Sequence, residues 1–584
     1  MKRMFQVTGM VAAMLLAAGQ TAGAEAGAMT PGTYSETVDS MKGKMTVTVT
    51  VDENSIKDIQ LDTVDTAHIV GAVQTQMIPE ILEAQSLKVD SVSGATVSSA
   101  AVKYGVRLAL EEAGADTSVS FNADATVVPA EKEVEEAAVV VVGSGGAGLS
   151  TAIMLAENGV GHVILLEKQG FFGGTTSVSG GGVWAVGDTK FNQNTGFDYD
   201  ADGLLKHIYE ASGAEEGALN EGLIRNIADV SAEVFNYYLD DVGVPFDIET
   251  VDFGDSLSEM PVAWTDGAGG VLISHLVERA QNLGVDLRLN SKVDSLLVED
   301  GAVTGVHVAG REAIYDIHSS KVVLATGGFQ RNKELVEELT PDYVNAVPFT
   351  SAGSTGDGIT MARELGAVVS GNTLAGLGGL GEQFGYEDLG SSIWGSAIFV
   401  NKNGDRYIDE TAHYSYHLDA IMEQPDGKVF GIGDSTSSVY ENIAQLVELR
   451  YAVTADTIEE LAELIEVDPA ELQKTVDTYT ADLEAGNDDS VFGTANANMK
   501  SLSQAPYFAL KMDGVSFAGL AGLVVDDTCH ILNADNEVIP NLYGAGELVG
   551  SNILQGRYAG SGSQVGPSLY EGKIIADAIA AELK

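Results

Sequence analysis

Ala138-Val139-Val140-Val141-Val142-Gly143-Ser144-Gly145-Gly146-Ala147-Gly148 is the stretch that decides the fold. The apolar, β-branched run to Val142 reads as a strand buried on both faces. The glycines follow at once and open a helix through Leu149, Ile153 and Leu155 that stops at Asn158-Gly159. A second buried strand, Val163 to Leu166, ends in Glu167. A lone G-x-G-x-x-G says little. Between a strand and a helix, with an acid closing the next strand, it reads as a dinucleotide-binding fingerprint. Gly143, Gly145, Gly146, Ala147 and Gly148 let the backbone approach a pyrophosphate at a helix N-terminus, and Glu167 is placed to accept from ribose hydroxyls.

Further along, Gly173-Gly174-Thr175-Thr176-Ser177 and Ser179-Gly180-Gly181-Gly182 offer more backbone donors and hydroxyls. Val322-Val323-Leu324-Ala325-Thr326-Gly327-Gly328 is another buried strand ending in glycines. Gly353 to Gly358, which includes Asp357, and Gly544-Ala545-Gly546-Glu547 complete the set. This extended glycine-rich surface favours FAD over NAD.

Upstream, Lys2 and Arg3 precede the apolar run Met10 to Ala18, and Ala22-Gly23-Ala24 offers small residues for cleavage. The run is too short to span a bilayer, so residues 1–24 read as a secretory signal and the mature protein as extracytoplasmic; the competing reading is an uncleaved anchor. Met45 to Val51 alternates apolar and hydroxylic residues, as a half-buried strand does, and a second strand is expected from Ile56 to Leu61. Ile69 to Leu87 reads as helical. Val89-Asp90-Ser91-Val92-Ser93-Gly94-Ala95-Thr96 follows, with a helix expected to start near Ser98. It resembles the D-x-x-S-G-A-T attachment motif of covalent FMN-binding domains, in which a flavin transferase esterifies the final Thr. That resemblance implies FMN on Thr96. The competing reading is a plain helix-capping turn. Residues 114–136 lack either periodicity and read as a linker.

At 584 residues the chain is expected to hold two to four domains. A net charge of -54 argues against nucleic acid and anionic membranes as partners. Cys529 is the only cysteine, so no internal disulfide, iron–sulfur cluster or c-type haem can form, and redox chemistry falls to organic cofactors. His413 and His417 stand four apart, but the sequence points to no further metal ligands.

From Glu136 to Lys584 the chain resembles the fumarate reductase/succinate dehydrogenase flavoprotein superfamily. With its N-terminal segment it is similar to the secreted fumarate and urocanate reductase-like group. The resemblance implies an α/β fold: a Rossmann-type FAD-binding domain with an inserted α+β capping domain, preceded by a small α+β FMN-binding domain. The expected boundaries are 25–113 for FMN, 137–375 and 511–584 for FAD, and 376–510 for the cap. Glu547 would bind the ribityl chain, and a helix beginning near Ser563-Gln564 would aim its N-terminus at the flavin. No His or Cys lies between Gly173 and Trp184, so FAD is expected to be non-covalent.

Family members that reduce fumarate clamp two carboxylates with Arg and His and deliver a proton from a cap Arg. Here the cap stretch Asn403-Gly404-Asp405-Arg406-Tyr407-Ile408-Asp409-Glu410 is recognisable, but Tyr414 stands where that Arg belongs. The relay positions fall on Gly390 and Ile393, and a clamp His falls near Phe517. Arg406 reads as an ion-pair partner rather than an acid. In Gly556-Arg557-Tyr558-Ala559-Gly560-Ser561-Gly562, Tyr558 takes the place of the carboxylate-binding Arg. Tyr414, Tyr558 and Gly562 are similar to the proton carrier and carbonyl-binding pair of 3-ketosteroid dehydrogenases.

The reaction this implies is hydride transfer to a C=C bond conjugated to a carbonyl. Tyr414 would be the proton donor, Tyr558 and Gly562 would hold the enolate oxygen, and an extracytoplasmic or membrane donor would supply electrons through FMN. A one-residue register slip would instead make Arg557 a carboxylate binder, as in a urocanate-, fumarate- or acrylate-type reductase. An electron-shuttling flavoprotein without its own substrate is the third reading. Trp184, Trp264 and Trp394 either line an apolar pocket or pack in the core.

Overall fold

A computed structural model describes residues 29–197, 199–252, 260–379 and 396–584. The expected signal, together with Gly390, Ile393 and Trp394, lies outside the described residues.

The strands Gly32–Asp39, Lys44–Val51 and Ile56–Thr63 form an antiparallel sheet. Met45, Val47, Val49 and Val51 point into its core, while Thr46, Thr48 and Thr50 pair their hydroxyls with Thr37, Ser35 and Thr33 across the other face. This is the alternation read from the sequence. The helix Thr96–Glu112 covers the apolar face with Val102, Val106, Ala109 and Leu110. Gly105 lets it close on the sheet, since a Cβ there would lie 2.6 Å from Val47. The expected helical stretch from Ile69 runs over 67–84, with one π turn at Val73–Met77, and ends at Gln85 in the left-handed conformation.

The main domain is built on a six-stranded sheet in the order Asp286–Arg288, Val163–Leu166, Val139–Val142, Val322–Leu324, Val538–Gly544 and His530–Leu532. All neighbours are parallel except the last pair. Strands from both ends of the chain therefore share one sheet. The helices Gly146–Glu157 and Val565–Glu582 pack closely: a Cβ on Gly572 would meet Ser150 Oγ at 2.5 Å. The expected α/β fold with a Rossmann-type sheet and a small N-terminal α+β unit is what the chain adopts.

The segment 114–136 contributes Ala130–Glu131 and, with its neighbour Ala137, Glu135–Ala137, which pair in parallel with Ala313–Ser319. Tyr507–Gly519 is one continuous strand, flanked by Leu374–Gly379, Val429–Asp434 and Ala452–Ala455. The expected boundary after Leu510 falls inside it. Phe508, Leu510 and Met512 feed the cap core, and Ala518 feeds the main core. Among the described residues no helix is long and apolar enough to cross a membrane.

Candidate active site

The glycine loop is shaped by close approach. Gly143 has φ +104°, and a Cβ on it would lie 2.2 Å from Ala325 O; a Cβ on Gly148 would lie 1.9 Å from Gly143 O. Gly145 differs, because a Cβ there would meet nothing nearer than Gly173 O at 4.0 Å, and its bare backbone faces open space. Buried Glu167 accepts from Ser144 N–H (3.1 Å), Ser144 Oγ–H (2.6 Å) and Gln169 N–H (2.8 Å), tying the loop to the second strand.

From this loop a cavity of about 1350 Å³ extends through the molecule. Every cofactor-binding residue expected from the sequence lines it except Gly148, spent on helix–strand packing, and Ser563, which borders a small apolar void beside Trp184. Thr326 Oγ1 and Gln564 Nε2 are buried without a protein partner, which suits a ligand rich in hydrogen-bonding groups. Gln564 is the N-cap residue of Val565–Glu582. Glu547 accepts from Gly519 N–H (2.6 Å) and from the Gln330 amide, and burial pushes its carboxyl above the usual range. Asp357 is ion-paired with Lys168 at 2.7 Å.

One end of the cavity is aromatic. Tyr414, Phe517 and Tyr558 form a triangle, with ring centroids 5.0 Å apart for Phe517–Tyr558 and 6.2 Å for the other two pairs. Gly562 and Leu377 line the same cavity. Gly562 (φ +87°) is pressed on Trp184, where a Cβ would sit 2.8 Å from the indole. Burial pushes the Tyr558 phenol up to about 12, with the neighbouring Ser563 hydroxyl pulling the other way. His413 packs at a tilt against Tyr414, with ring centroids 4.3 Å apart, and burial holds its imidazole down at about 4.

Arg557 does not line the cavity. Its guanidinium carbon lies 3.9 Å from the centroid of Tyr416, a cation–π contact. Two of the lining cations are engaged: Lys168 is paired with Asp357, and Arg331 donates to the carbonyls of Pro348 and Thr350. Arg406 is buried between Glu410 and Asp489, an ion-pair partner. His417 bonds to Ala412 O (3.2 Å), and no cluster able to hold a metal occurs among the described residues. Trp184 is core, and Trp264 lines the cavity.

Thr96 opens on the same cavity, in the first turn of Thr96–Glu112. Ala95 is the N-cap residue and no side chain caps the helix, so the capping reading of the motif loses its support. Lys42 and His68 line the cavity too, and His68 Nε2 is buried without a partner. Sequence reading missed these two and Gln330, because no motif reaches them. Only its place two residues beyond a glycine-ended strand marks Gln330.

Residues 138–565 match the FAD binding domain family, and residues 41–111 match the FMN-binding domain. The chain belongs to the FAD binding domain family and is a flavoprotein with an added FMN-binding domain. It is 28% identical to the NADH:fumarate oxidoreductase of Klebsiella pneumoniae (strain 342) over 89% of this chain, and it spans only 55% of that protein's length. It is 29% identical to the urocanate reductase of Eggerthella lenta over 92% of this chain and 90% of that one. Among solved structures, the 3-ketosteroid-Δ4-(5α)-dehydrogenase from Rhodococcus jostii RHA1, in complex with 4-androstene-3,17-dione, superimposes with a TM-score of 0.62. The pair is 25% identical, covering 78% of this chain and all of that one.

Proposed function

We propose that the chain is an extracytoplasmic flavin-dependent reductase acting on a C=C bond conjugated to an uncharged carbonyl. We divide it into an FMN-binding domain (25–113), a linker (114–136), an FAD-binding domain (137–375 and 511–584) and a cap (376–510). FAD held by the glycine loop, Glu167, Glu547 and Gln564 would supply the hydride, and FMN esterified to Thr96 would replenish its electrons from an extracytoplasmic or membrane donor. The observation that carries the reading is the aromatic end of the cavity, which Tyr414, Tyr558 and Gly562 line and Arg557, packed on the Tyr416 ring, does not.

Tyr558 keeps its proton across the physiological range because burial disfavours the phenolate, so its O–H donates to a substrate carbonyl oxygen. Gly562 N–H is the second donor, and the pair forms an oxyanion hole in a dry, apolar setting. Tyr414 gives a proton to the α-carbon. The rings of Tyr414, Tyr558 and Phe517 exclude water from that end.

Three variants assayed on one good substrate test this. Tyr558→Phe should lower kcat by about 10²- to 10³-fold, the scale for one oxyanion donor. Tyr414→Phe should cost at least as much, within the about 10²- to 10⁴-fold typical of a general acid. Arg557→Met should change little. A steep rise in KM for Arg557→Met with a mild Tyr558→Phe would replace this reading with a carboxylate reductase.

A further inference from the structure

The D-x-x-S-G-A-T segment is also a contact surface. Asp90 is held by Arg311 Nε (3.3 Å) and by Val127 N–H (3.0 Å), and Arg311 reaches Glu80 on the same unit at 2.8 Å. The Ser93 carbonyl accepts from Gly170 N–H at 3.0 Å. Gly94 (φ +84°) is covered by the main domain: a Cβ on it would lie 2.3 Å from Gln169 Nε2 and 2.8 Å from the Phe171 ring. Gln76 donates to Gly170 O at 2.5 Å and accepts from Asn290 Nδ2 at 3.2 Å. Phe171 is buried in the N-terminal core. Three residues of the motif are therefore committed to the FAD domain while Thr96 faces the shared cavity.

A transferase that recognises this motif around Thr96 would cover the same residues. We propose that this face serves two partners in turn: a flavin transferase while the N-terminal unit is undocked, and the FAD domain afterwards, so that FMN attachment precedes docking. The proposal rests on the reading of Thr96 as the attachment residue. In the transfer, Thr96 Oγ1 bonds to the phosphorus of the FMN half of a flavin dinucleotide. The pyrophosphate bridge breaks, AMP leaves with the bridging oxygen, and the hydroxyl proton passes to solvent. No electrons move. Apart from Phe171, the contacts named across the seam are polar, the kind of intrachain interface that can open.

The test uses full-length, FAD-loaded protein without FMN, incubated with a flavin transferase and FAD, with attached flavin followed by in-gel fluorescence after denaturation. Arg311→Glu sets a carboxylate against Glu80 and Asp90 and should speed incorporation about tenfold, equivalent to about 1.4 kcal/mol in the docking equilibrium. Gln76→Ala should give a smaller rise, and retained FAD absorbance reports the fold in each case. Equal rates in all three proteins overturn the proposal. No incorporation in any of them overturns the attachment reading itself, and the proposal with it.

Discussion

Glu571 shows how a single buried group ties stability to pH. Its side chain is 1% exposed, it accepts from Gly546 N–H at 2.6 Å, and burial pushes its carboxyl up to about 8. A folded pKa above the unfolded one means that the stabilisation is complete below about pH 4.5 and is lost as pH climbs to about 8. Glu571→Gln keeps the acceptor and removes the titration. Its Tm advantage over the wild type should therefore widen between pH 5 and pH 8, and an advantage that stays constant would contradict the assignment. At this scale counting from a cap motif or a glycine-rich helix start singled out Tyr414, Tyr558 and Gly562, and the three line one cavity. Counting could not sort Arg557 from Tyr558. Adjacent residues in an irregular loop face different ways, and the attraction of the Tyr416 ring for the guanidinium is a contact that no local pattern announces.

The helix Thr96–Glu112 begins at the residue proposed to carry FMN. A phosphoester on Thr96 would place its negative charge at the positive end of the helix dipole, where an anion is stabilised. Intact-mass analysis of protein matured with its transferase should show one FMN, which is lost in Thr96→Ala. Acid precipitation should then release FAD and leave FMN in the pellet. FAD retained in the pellet, or an unmodified wild-type mass, would contradict the cofactor assignment. The helix and the alternating strand before it were readable from periodicity. The short strands Ala130–Glu131 and Glu135–Ala137 were not, because they are edge pieces templated by Ala313–Ser319 rather than formed by a pattern of their own.

Across the whole molecule, a largely parallel sheet built from both ends of the chain fixes the glycine loop, the strand Tyr507–Gly519 contributes to two cores, and a docked N-terminal unit brings Thr96 to the same cavity. The sheet could be read from its buried strands and glycines. The docking could not, since Arg311 and Glu80 meet across 231 residues of chain. The arrangement yields a flavoprotein with an aromatic end to its cavity, and the test of the proposed reductase is which acceptor it reduces. Protein reduced anaerobically with dithionite should be reoxidised saturably, and fastest, by an uncharged enone, with aryl acrylates slower and fumarate poor. Fumarate reoxidising it as fast as the best enone, or no alkene doing so at all, would contradict the account.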